Sequence, residues 1–190
     1  MKDEGGRRKD ESTHHEDAVV CLELLEQRVF GARNAKKDAE WNIRTALLNP
    51  TIPDSSFTLS PSSFTLSPSS FHWPSQSEVA DALSLTRARV GQVLTADRNR
   101  WAKDSLLNAL RGDLYEQIQR LGGVVTVSEL IELTNLIRPA ADTLDTDKQQ
   151  RMASAIARSV FETETSLADP RFQLRRLSIV RSISVVVDDS

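Results

Sequence analysis

The stretch that leaves this chain the fewest folds is QSEVADALSLTRARVGQVL, from Gln76 to Leu94. Val79, Ala80 and Leu83 stand at i, i+1 and i+4, one apolar face of a short helix, and Val90, Val93 and Leu94 repeat at i, i+3 and i+4 on a second. Ala80 is small where two such helices would approach closely, and Leu85 supplies an apolar anchor in the turn. Thr86 is an N-cap residue whose hydroxyl can accept an orphan N–H of the second helix. Two short helices with this spacing read as a helix-turn-helix, whose second helix is shaped to enter a DNA major groove. Arg87, Arg89 and Gln92 then point outward, and these side-chain types make bidentate contacts to guanine and adenine edges. One position departs from the pattern: Ser84 stands where glycine is usual, and serine takes a left-handed conformation only at some cost. The competing reading is an ordinary two-helix corner with solvated arginines.

The totals constrain how such a unit could bind. A chain of 190 residues has room for one domain or two small ones with linkers, and its formal charge of −3 rules out DNA binding by global basicity. Between Gln76 and Arg120 there are seven basic and six acidic residues, a net of +1, so any DNA contact rests on a local patch. Aromatics are few and aliphatics plentiful, which suits small helical units. The single cysteine, Cys21, cannot close an internal disulfide, is consistent with a reducing cytosol, and lies on the apolar face of an expected helix as a small hydrophobe. No apolar run reaches membrane-spanning length, and MKDEGGRRKDESTHHED lacks the apolar core of a signal peptide. A cytoplasmic protein without a membrane partner is expected.

In chain order, residues 1–12 are polar and of mixed charge and are expected to be disordered. Residues 13–50 read as a helical hairpin. Its first helix runs to Phe30 on the stripe Val19, Leu22, Leu25 and Val29 and ends at Gly31; its second runs from about Lys36 to Leu48. The pair His14–His15 lacks a partner at i+4, so no metal site is expected. The basic loop of Arg33, Lys36 and Lys37 is either solvated or beside phosphate. Residues 51–74 form a Ser/Pro-rich linker in which SSFTLSP occurs twice and a degraded third copy begins SSFHWP; the prolines exclude a coiled coil. Ser60–Pro61 and Ser67–Pro68 are candidate phosphorylation steps.

The helix-turn-helix domain spans residues 75–121. Its last helix, from Lys103 to Leu121, carries Leu106, Leu110, Leu114, Ile118 and Leu121, and Gly122–Gly123 ends it. Residues 122–190 read as a winged-helix-like domain. It has a short strand at Val124–Val125, a helix capped by Thr126 or Ser128, a third helix from Thr146 to Glu164, and a β-hairpin in PRFQLRRLSIVRSISVVV. The fold class is therefore mainly α: a helix-turn-helix, then a winged-helix-like unit with a short C-terminal β-hairpin.

Several of these pieces together carry a resemblance: RVFGARNAKK…IRTALL, WPSQSEVADALSLTRARVGQVLTADRNRWAKD, LGGVVTVSELIEL and DPRFQLRRL. From about Leu22 to Val187 the chain resembles the region that follows the kinase domain in large bacterial phage-defence serine/threonine kinases, of the phage-growth-limitation and BREX type. The second piece is also similar to region 4 of sigma factors, which reads promoter DNA. The resemblance implies a DNA-binding or regulatory part of such a protein. It implies no kinase activity here, because the chain has no G-x-G-x-x-G, H-R-D or D-F-G. The ending SIVRSISVVVDDS stops soon after the terminal strands begin, which fits a fragment of a larger kinase as well as a whole protein.

The leading expectation is a DNA-binding module for double-stranded DNA. Thr86, Arg87, Arg89 and Gln92 would lie at the base edges, and Arg98, Arg100 and Lys103 on or near phosphates. The alternative is a protein-interaction adaptor that docks a kinase or another defence component without touching DNA. No nucleophile stands beside a base, so neither an enzyme nor a cofactor is expected. The N-terminal hairpin is the best candidate seam for a homodimer.

Overall fold

The computed structural model describes residues 20–34, 37–49, 73–176 and 183–187. The expectations for residues 1–12, His14–His15, Lys36 and the repeats up to residue 72 lie outside the described residues. Seven helices are described: α1 (Leu22–Phe30), α2 (Asp38–Leu48), α3 (Gln76–Ala82), α4 (Arg87–Trp101), α5 (Ser105–Arg120), α6 (Val127–Ile137) and α7 (Thr146–Glu164). Three short strands accompany them, β1 (Val124–Thr126), β2 (Phe172–Arg176) and β3 (Ile183–Val187). The architecture is mainly α.

Local chemistry sets most of the boundaries. Side-chain oxygens of Ser75, Thr86, Asp104, Thr126 and Asp145 each accept an N–H in the first turn of the helix that follows. Ser75 with Glu78, and Thr126 with Glu129, complete reciprocal capping boxes. Gly31, at φ 71°, ends α1, and Gly122 and Gly123 follow α5 with φ of 95° and 80°. α7 begins and ends at the residues expected from sequence, and α4 runs unbroken to Trp101.

α7 is the centre of the molecule. It packs against α1, α2, α4, α5, α6 and β2, and it is buried almost all round from Met152 to Glu164. One apolar core runs from Leu22, Leu25 and Val29 through Leu94 and Trp101 to Leu130, Ile156 and Phe172. It is therefore continuous across residues 121 and 122, where the sequence pattern suggests a boundary between two units. The three strands pair antiparallel in the order β1-β3-β2, with Val125 opposite Val185 and Leu174 opposite Val185 on the other side.

Polar groups on α7 serve as clamps. Glu164 is fully buried and lies 2.9 Å from Arg111 and 3.4 Å from Arg171. Arg158 donates to the Leu47 carbonyl and, at 2.8 Å, to the Pro74 carbonyl. The end of α2 and the lead into α3, far apart in sequence, are thus held by one guanidinium. Trp73 lies against that guanidinium, stacks on Phe161 and donates its indole N–H to Ser154 Oγ at 2.9 Å.

Several details differ from the sequence expectations. Cys21 is the N-cap of α1 and only half-buried, because the helix starts one residue after it. Leu85 is exposed rather than an apolar anchor, since the turn closes through backbone bonds to Ala80 and Asp81. Leu121 is exposed and Leu107 takes a place in the core, because α5 ends at Arg120 and Leu121 falls in the turn beyond it. No helix among the described residues is long and apolar enough to cross a membrane.

Candidate nucleic-acid interface

α3 and α4 are joined by a tight turn. The N–H of Leu85 donates to the Ala80 carbonyl at 2.8 Å and that of Ser84 to the Asp81 carbonyl at 3.2 Å. Ser84 carries a φ of 54°, the one non-glycine in the left-handed region among the described residues. The geometry that favours glycine is therefore present with a serine in it, at a cost of about 1–2 kcal/mol. Val79 and Ala80 of α3, and Val90, Val93 and Leu94 of α4, are buried where the helices meet the core. At Gly91 of α4 an added Cβ would lie 3.2 Å from Gln76 Oε1 of α3, so a larger residue there would press on that side chain.

Arg87, Ala88, Arg89, Gln92, Thr95, Ala96 and Asn99 of α4 and, just beyond its end, Lys103 are all exposed. Thr86 accepts the Arg89 N–H at 3.2 Å, so its hydroxyl serves as the helix cap. Among the described residues neither Arg87 nor Lys103 forms an ion pair, whereas Arg89 lies 3.4 Å from Glu40 of α2. Glu40 also meets Lys37 at 3.7 Å, so one carboxylate bridges two cations.

The two remaining cations of α4, expected on or near phosphates, have partners within the fold. Arg98 turns inward to Glu162 of α7 through both its Nε and its Nη2. Arg100 reaches back to α1, donating at 2.6 Å to the Val29 carbonyl and also to that of Arg28, and meets Asp97 at 3.1 Å. The reason is the end of α1. Its last carbonyls have no partner within the helix, and Arg100, Arg44 and the Trp101 indole supply the missing donors. Buried Asp97 then accepts a bidentate pair of bonds from Arg44 at 2.6 and 2.7 Å. Sequence reasoning missed Arg44, Asp97 and Glu40. No local signal marks partners that lie 53 and 49 residues apart.

Through these bonds α2 stands as a wall beside α4. Glu40, Arg44, Arg89, Gln92, Val93 and Ala96 line a shallow cleft between α2 and α4. Part of the chain is similar to a known protein, the probable kinase PglW of Streptomyces coelicolor. The two are 33% identical over 92 residues, which is 48% of this chain and 6% of that protein. The chain thus spans only a small fraction of its relative's length. No family model matches the chain, and no solved structure is similar to it.

Proposed function

We propose that the chain is a DNA-docking module, related to a region of PglW and serving bacterial phage defence in association with a kinase. In this reading α3 and α4 form a helix-turn-helix, and the first turns of α4 enter a major groove. The observation that carries it is the sorting of α4's cations. Arg98 and Arg100 are engaged by Glu162 and by the end of α1, while Arg87, Arg89 and Gln92 are exposed on the first two turns of α4, directly after a left-handed turn and a threonine cap. Arginine there suits guanine and glutamine suits adenine. The test is a fluorescence-anisotropy titration with duplex DNA across a salt series. Substituting Arg87→Ala with Arg89→Ala should weaken specific binding by about 1–3 kcal/mol for each base edge that is no longer read. Unchanged affinity in the double variant would remove both residues from the interface.

A specific observation favours an additional protein-docking role for the second half. The order α5, β1, α6, α7, β2, β3 with the sheet β1-β3-β2 supports a winged-helix reading, in which α7 is the helix that would enter a groove. Yet α7 is buried under α1, α2 and α4. This half therefore has no groove-reading helix to offer, while Leu121, Val124 and Leu136 are exposed on it. Contact with a kinase or another defence component through those side chains is the adaptor alternative. Under that alternative alone, the salt series would show no DNA binding and Leu136→Asp would abolish capture of the partner.

A further inference from the structure

We infer that Arg33 and the start of α2 flank the DNA site as a second wall, in which Arg33 and Lys37 bind backbone phosphates beside the groove that α4 enters. The inference rests on the DNA-docking reading of α4 and extends it to a part of the chain about 50 residues earlier.

The contacts between α2 and α4 fix the placement. Arg44 is locked to Asp97 of α4 by two short bonds, which holds α2 against α4. At the other end of the same contact, Glu40 lies 3.4 Å from Arg89 and 3.7 Å from Lys37. Arg33 lies 3.5 Å from Asp38, at the first residue of α2. Arg33 and Lys37 are about two-thirds exposed, so each ion pair is loose and their hydrogen-bonding capacity faces solvent. Gln92 and Ala96 of α4 border the cleft whose far side is Glu40 and Arg44. A duplex whose groove received Arg87 and Gln92 would therefore carry one strand of phosphates along the α2 side. Arg98 and Arg100 are engaged by Glu162 and by the end of α1, whereas Arg33 and Lys37 pair only with exposed or half-exposed carboxylates at the start of α2.

Glu40 has a distinct part. In the free protein its carboxylate holds Arg89 and Lys37 together. A phosphate arriving there meets that carboxylate as a competitor for both cations, so Glu40 tempers affinity. Neutralising it should tighten binding, while removing Arg33 and Lys37 should weaken it.

The experiment uses the full chain, a random-sequence duplex of about two helical turns, and anisotropy from roughly 25 to 200 mM salt, the range over which counterion release is resolved. Three proteins are compared: wild type, Arg33→Ala/Lys37→Ala, and Glu40→Gln. Each phosphate that goes unneutralised reduces the slope of log affinity against log salt by about 0.9, so the double variant should flatten it by roughly 1.8 and bind about tenfold or more weakly at low salt. Glu40→Gln should bind more tightly than wild type. Thermal melts check that all three fold alike, as expected for exposed side chains. Wild-type binding with an unchanged slope in the double variant overturns this inference and leaves the α4 reading standing. Absence of wild-type binding at the lowest salt overturns the α4 reading and this inference with it.

Discussion

Arg158→Met tests how the fold is held together. The substitution keeps most of the side-chain length and apolar stem but removes the guanidinium that holds the Leu47 and Pro74 carbonyls. Burial pushes the Arg158 pKa down while Glu162 opposes that shift, and arginine stays charged regardless. Two acceptors would be left without their donor, at about 1–3 kcal/mol each where water cannot replace it. Glu162, which now meets Arg158 at 3.5 Å, would keep Arg98 as its counter-charge, so its own penalty is partial. Breaking a buried pair typically costs about 3–5 kcal/mol, and a similar range follows from summing the carbonyls. Against a usual domain stability of about 5–15 kcal/mol, the variant should be folded but strongly weakened, with a Tm lower by about 10 °C. Urea unfolding by far-UV circular dichroism measures the loss, with an unchanged slope against denaturant as the sign that only stability moved. A loss under about 1 kcal/mol would refute the clamp, because two buried carbonyls cannot go unpaired so cheaply.

Three further outcomes are expected. Ser84→Gly should stabilise the chain by about 1 kcal/mol in the same urea assay, since glycine reaches a φ of 54° without the Cβ clash; a destabilised variant would mean that the serine hydroxyl compensates for the turn. Asp97→Ala should cost about 3–5 kcal/mol by leaving Arg44 without its carboxylate, whereas Arg87→Ala should leave the melting curve where it is; equal effects would contradict the division between structural and exposed arginines. Glu26 is held above the ordinary carboxylate pKa, chiefly by burial, with Lys148 opposing. A raised folded pKa means that the folded state binds the proton more tightly, so stability from this group is present at low pH and is lost as pH rises through the folded value. Glu26→Gln should therefore raise the Tm at neutral pH and make no difference in acid well below the carboxylate range; the reverse pattern would show that the Lys148 attraction dominates.

Much of the local structure is legible in the sequence because it is written in neighbouring residues. Thr86 and Thr126 cap the helices that begin at the next residue. Glycines end helices where φ must turn positive, and the odd Ser84 marks a left-handed turn by its place in the pattern. The limits of α7 are equally local, set by Asp145 at its start. Its surroundings are not. Ser154, Arg158, Ser159, Glu162 and Glu164 are polar or charged, yet they are buried. The elements that cover and pair with them, from Leu47 to Arg98, come from elsewhere in the chain.

The arginines of α4 divide along the same line. By sequence, Arg87 and Arg89 are expected at base edges and Arg98 and Arg100 near phosphates, because periodicity says only which way each leaves the axis. Tertiary packing decided that Arg98 finds a carboxylate on α7 and that Arg100 meets the bare carbonyls ending α1, 71 residues earlier. Partners that far apart leave no mark in local pattern, because a salt bridge depends on distance in space and not along the chain. The sequence alone therefore determined the helices, their caps and the cations available for a site. Only the packed structure decided which cations are bound within the fold and which face solvent.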